Sequence, residues 1–140
     1  MKNIKPKKGR LLISEPSMLD SNFKRSVLLL TEHNDNESIA FILNQPTKIK
    51  INELFEDFPS FDANVHFGGP VEKNTLHYIH SLGDKIDNSI PISDNLYWSG
   101  NFDTLKKLII NKEVNATEIR FFVGYSGWSP GQLEHELNEK

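Results

Sequence analysis

Two apolar runs dominate the chain. Ser26–His33 (SVLLLTEH) is continuously apolar and then turns polar, the pattern of a strand buried on both faces. Ile119–Tyr125 (IRFFVGY) is the second such run. Asn34-Asp35-Asn36 is a turn signal between Ser26–His33 and the strand-like Ser38–Asn44, so these two predict a hairpin. Asn44-Gln45-Pro46 is read as the end of the second strand, because proline lacks the ladder donor. Shorter strand patterns fall at Arg10–Ser14, Val65–Phe67, Leu76–His80 and Leu96–Trp98. Gly83–Pro91 is a polar connection with room for one more short strand. Ile51–Phe55 predicts one or two helical turns, and Phe102, Leu105, Leu108 and Ile109 recur at helical spacing, predicting a helix over Asn101–Glu113. Strands interrupted by helices without strict βαβ alternation give an α+β fold.

The last segment reads as a helix start. Ser129 fits the N-cap, Pro130 the first helical position and Gln132 the capping-box position. Trp128 and Leu133 occupy the two positions of a hydrophobic staple. Helical spacing then continues to Lys140 without a C-cap, as in a chain that lacks a further C-terminal segment.

Length and charge narrow the function classes. At 140 residues the chain predicts one domain, residues 9–140, behind a flexible basic arm, residues 1–8. Five of the 16 basic residues lie in the first ten, leaving a net charge of −8 over residues 11–140. An acidic body disfavours direct nucleic-acid binding by the fold, although the lysine arm could act as a weak tether. The absence of cysteine removes disulfides, thiolate nucleophiles and cysteine metal sites. No apolar run approaches the roughly 20 residues of a membrane span, and none resembles a secretory signal, so the chain reads as cytoplasmic. No metal or cofactor motif is present, and none is expected. His77 and His80, three apart on a strand, point to opposite faces and cannot chelate one ion.

The residues that could carry chemistry sit at turns. Gly124-Tyr125-Ser126-Gly127-Trp128 has the strand–turn–helix context of a nucleophile elbow, but Trp128 stands where the pattern needs glycine. His33, His66, His77, His80 and His135 are the available bases, and nothing in the sequence pairs one with Ser126. The alternative is a tight turn made by Gly124 and Gly127 with Trp128 packed beside it. The helix start after Ser129 could offer free N–H groups to an anion or a partner carboxylate, with Gly131 allowing close approach, unless the capping box already satisfies them. Gly68-Gly69-Pro70-Val71 is either a backbone-exposing loop or a turn requiring positive φ. Arg25, at the edge of a buried strand, is either an ion-pair partner of Glu32 or Glu134 or a ligand clamp.

Five segments together resemble the AlgH/YqgE family: Gly9–Ser14 with Pro16, Met18, Asp20 and Phe23; Arg25–His33; Ile42–Pro46; Phe67–Val71; and Gly124–Glu134. The resemblance implies an α+β fold with a mixed, barrel-like sheet flanked by helices, in a cytoplasmic bacterial protein. It implies no reaction. The family name carries a link to transcriptional regulation, but no DNA-binding motif accompanies it here. Ala40 stands where the family pattern has glycine, and Gln45 where a basic residue often precedes the proline, so an anion site there would lack that cation. The chain also stops before a further tryptophan-bearing segment of the family. The leading expectation is a non-catalytic regulatory or adaptor module that binds an unknown small molecule or protein partner. Its site would comprise Arg25, Asn44, Gly68, Gly69, Pro70, Tyr125, Ser126, Gly127, Trp128, Gly131, Gln132 and Glu134. The alternative is a hydrolase or transferase using Ser126.

Overall fold

The computed structural model describes residues 7–13, 26–133 and 135. The elements run β1 (Leu11–Ile13), β2 (Val27–His33), β3 (Ser38–Ile42), β4 (Pro46–Lys50), α1 (Ile51–Leu54) and β5 (Asn64–Phe67). They continue with β6 (Val71–His80), β7 (Ile90–Ser93), β8 (Leu96–Trp98), α2 (Phe102–Ile110) and β9 (Ile119–Trp128). The main sheet path is β1-β2-β3-β9-β6-β8-β7, and the β4–β5 hairpin joins it through β9. Among the described residues all pairings are antiparallel except β5 with β9, so the sheet is mixed.

The path curls on itself. Gly9, just before β1, lies against Ile92 and Ser93 of β7, so the two ends of the sheet meet. The resulting barrel-like wall encloses Leu29, Phe41, Ile79, Ile92 and Phe122. The opposite face carries the alternate residues of the same strands. At the β9–β6 end, Tyr78, Ile119 and Phe121 pack with Leu105 and Ile109 of α2 and Ile51 of α1. At the β2–β3 end, Leu28, Leu30, Ala40 and Ile42 pack with Leu133. This alternation is why β2 and β9 read as unbroken apolar runs: both of their faces are buried.

Local chemistry fixes the element ends. Asn34 Oδ1 accepts from the N–H of Asn36 at 2.7 Å and of Glu37 at 3.0 Å, which forms the predicted hairpin turn between β2 and β3. Asn101 caps α2 by accepting from Thr104 N at 3.1 Å. Three sequence expectations need correction. Pro46 does not merely end a strand but opens β4, which among the described residues pairs only with β5, so the missing donor costs little at this first strand position. β6 begins at Val71, five residues before the alternation becomes visible, because its first half is polar and exposed. β9 continues through Gly124–Trp128, where a turn was expected.

Candidate functional site

The segment Gly124–Trp128 is a strand crossing point. β5 and β6 both pair with residues 121–123 of β9, so they lie on its opposite edges. The chain passes from one edge to the other in only three residues, Gly68–Pro70. Such a crossing forces backbone against backbone. A Cβ on Gly69 would lie 2.2 Å from the carbonyl carbon of Tyr125, and one on Gly124 would lie 2.3 Å from the Gly69 oxygen. Gly68 is as tight, at 2.5 Å from the Gly124 oxygen. These glycines are therefore required by contact, and Gly124 also holds φ +73°. The reading of Gly68-Gly69-Pro70 as a ligand-facing loop gives way to this seam: Gly68 and Gly69 are buried, and only Pro70 is partly exposed.

Ser126 belongs to the seam. It is fully buried, and its hydroxyl donates to Gly68 O at 3.2 Å. The same carbonyl accepts from Ile42 N at 2.9 Å, while Gly68 N donates to Val123 O at 2.9 Å. Among the described residues no histidine or carboxylate bonds the Ser126 hydroxyl. The strand does not bend into an elbow there, so this serine has the setting of a structural group rather than of an exposed nucleophile.

Beyond the seam the chain emerges. Gly127 is exposed, Trp128 is half-buried, and Ser129, Pro130, Gly131 and Gln132 are exposed. The capping assignment needs revision. Gln132 N donates to Ser129 O at 3.0 Å, and Gly131 has φ +76°. Proline second and a positive-φ glycine third make Ser129–Gln132 a type II turn, so Pro130 is not a first helical residue. The reach-back half of the capping box does form: Ser129 N donates to Gln132 Oε1 at 2.9 Å. Helical backbone starts at Gln132, and the N-terminal anion site expected around Gly131 is instead the outside of a turn. Trp128 and Leu133 share one apolar cluster, as the staple predicted.

Beside Trp128 the sheet register brings together His33 and Ser38, a pairing that sequence reasoning missed. Ser38 is the partner of both Trp128 and His33, and the His33 Nδ1 to Ser38 Oγ distance is 2.6 Å. Past the other end of β3, the candidate Asn44 accepts at its Oδ1 from Val27 N at 2.9 Å, and Gln45 Nε2 donates to the buried Ser26 hydroxyl at 2.8 Å. The hairpin signal at Asn34 was the clue that would have placed His33 opposite Ser38. Arg25 and Glu134 lie outside the described residues.

Tyr125 faces the barrel side, with its ring edge-on to His77 at 5.6 Å and its hydroxyl donating to Glu72 at 3.2 Å. Burial, and then the Glu72 carboxylate, push the Tyr125 hydroxyl above its ordinary pKa. His77 and His80 sit apart. His77 packs on Phe41, and His80 stacks on Tyr97 and faces Ser99 O at 2.9 Å. Burial holds both imidazoles below the ordinary histidine pKa. Among the described residues no group of three histidines or acids converges to hold a metal. No helix among them is long and apolar enough to cross a membrane.

A curled sheet with this glycine seam and an exposed Trp-turn defines an α+β domain of the kind expected from the sequence. The family model described as DUF179, AlgH-like, matches residues 11–140, and the chain belongs to that family. It is 49% identical over 131 residues to a UPF0301 protein of Chlorobium limicola, covering 94% of this chain and 70% of that protein. A UPF0301 protein of Parabacteroides distasonis is 43% identical over 137 residues, covering 96% and 69%. The solution structure of the AlgH protein from Pseudomonas aeruginosa superposes with a TM-score of 0.73 at 28% identity, covering 99% of this chain and 77% of that one. The crystal structure of DIP2367 from Corynebacterium diphtheriae shares the fold with a TM-score of 0.77 at 21% identity, covering 99% and 74%.

Proposed function

We propose that this protein is a non-catalytic binding module of the cytoplasm. It would present Trp128, Gly127 and the Ser129–Gln132 turn to a small ligand or a protein partner. The observation that carries the reading is the partly exposed Trp128 at the point where β9 ends, flanked by the exposed Gly127 and Ser129. Tryptophan is a favoured anchor because it offers a large rigid surface for little conformational entropy. Its base is held by Leu133 and the β2–β3 cluster, so the indole is pre-positioned. At the other end of β3, Asn44 and Gln45 tie the chain to Val27 and Ser26, which stiffens the hairpin that carries the anchor. A regulatory role would follow from whatever binds there. The buried, carbonyl-bonded Ser126 gives no support to the hydrolase alternative.

The test is a thermal-shift screen of wild type and Trp128→Ala against nucleotides and phosphate esters. A ligand at about 100 times its Kd adds about 2.7 kcal/mol. The reading expects stabilisation that is lost in Trp128→Ala. Stabilisation that survives intact in that variant contradicts it.

A further inference from the structure

The barrel has an open end remote from Trp128. A cavity of about 420 Å³ lies there, floored by Leu29, Leu43, Ile79, Leu96 and Phe122 and rimmed by residues 116–120. The floor residues are inward-facing members of the barrel core, whereas Trp128 belongs to the cluster on the other face of the sheet. Ligand sites are commonly cavities of roughly 300–1,000 Å³, largely apolar, in places that include the mouths of β-barrels.

One cation marks this rim. Arg120 is exposed, and its Nη1 donates to Leu43 O at 3.2 Å. A guanidinium has five donors, so most remain available. Arg120 forms no ion pair among the described residues. The nearby rim acid, Glu118, accepts from Asn115 N at 2.8 Å and is thereby used to close the short turn before β9.

We propose that the open barrel end binds a small amphipathic carboxylate, with its apolar body on the Leu29–Phe122 floor and its carboxylate on Arg120. A single planar guanidinium suits a carboxylate's two oxygens, and the Glu118 carboxylate at the same rim disfavours a more highly charged phosphate head. The site is independent of the Trp128 reading and stands or falls separately.

The test is a titration of the full chain followed by amide ¹H–¹⁵N spectra, with octanoate as probe and octanol as its neutral analogue. Octanoate is expected to shift the amides of residues 43, 79, 96, 116–120 and 122. An exposed ion pair is worth up to about 1 kcal/mol, so octanoate should bind about fivefold tighter than octanol. Arg120→Gln should erase that margin and Arg120→Lys should keep part of it. Leu96→Phe, which fills the floor, should weaken both probes. Equal affinity for the two probes in wild type overturns the proposal. So does unchanged octanoate affinity in Arg120→Gln, or an absence of octanoate shifts at these residues.

Discussion

Gly69→Ala is the sharpest probe of the seam. The added carbon would stand 2.2 Å from Tyr125 C, 2.3 Å from Tyr125 O and 2.5 Å from Ser126 N. Ordinary carbon contacts lie at about 3.5–4.0 Å, so the crossover must move away from β9 by about an ångström. All three near atoms are backbone, so no side-chain rotation relieves the clash. Three hydrogen bonds meet at the neighbouring Gly68: its N–H to Val123 O, Ile42 N to its carbonyl, and the Ser126 hydroxyl to the same carbonyl. At about 1 kcal/mol each, their loss amounts to about 3 kcal/mol, a large share of the 5–15 kcal/mol typical of a domain. Two controls separate contact from conformation. Gly127→Ala meets nothing nearer than 3.4 Å and should stay within about 0.5 kcal/mol of wild type. Gly131→Ala has open space but φ +76°, so it should lose about 1–2 kcal/mol from backbone strain alone. Urea unfolding reads all three as midpoint changes at constant slope. A Gly69→Ala protein as stable as Gly127→Ala would refute the close-packing argument.

Three further outcomes are expected. Ser126→Ala should cost about 1 kcal/mol, because Gly68 O keeps its bond from Ile42 N, and neither form should react with a fluorophosphonate probe; labelling at Ser126 would reverse the structural assignment. Asn101→Ala should lower stability by about 1 kcal/mol through loss of the α2 cap, read by thermal unfolding, whereas an unchanged midpoint would deny the cap any role. Stability should fall at both ends of the pH range. His66, His77 and His80 have folded pKa values pushed below the ordinary 6.5, chiefly by burial, so the unfolded chain takes up protons first as pH falls through 6.5 and stability declines until the folded values are passed. Burial, with Asp87 contributing, raises the Tyr78 hydroxyl from 10.0 to about 12. The unfolded tyrosine therefore ionises first, and stability is lost as pH rises from about 10, levelling above about 12. A urea midpoint that stays flat between pH 7 and 5 would contradict the histidine account.

Much of the fold was legible because it is written locally. The β2–β3 hairpin follows from an apolar run, an Asn-rich turn and a second run. The α2 helix follows from its spacing and its Asn101 cap. What stayed hidden was decided by distant backbone. Gly124-Tyr125-Ser126-Gly127 reads as a turn by composition, yet its glycines serve the passage of Gly68–Pro70, some 55 residues earlier in the chain. The Ser129–Gln132 segment satisfies both a helix-start pattern and a Pro-Gly turn, and the glycine's positive φ selected the turn. The polar first half of β6 carries no hydrophobic alternation because its side chains face solvent. For the site, the sequence singled out Trp128 and its turn, but it also selected Gly68, Gly69 and Ser126, whose composition looks functional and whose surroundings are interior. The His33–Ser38 and Gln45–Ser26 contacts required the strand register, which no single residue reveals.

The most direct measurement is the emission of Trp128 as the sole tryptophan, in a Trp98→Phe protein titrated with any compound that stabilises the wild type and Leu96→Phe equally. The account predicts that such a ligand shifts or quenches that emission with the same midpoint as the stabilisation, since the indole is the anchor it covers. A ligand whose stabilisation is untouched by Leu96→Phe and which leaves the Trp128 emission unchanged would place binding elsewhere and contradict the account.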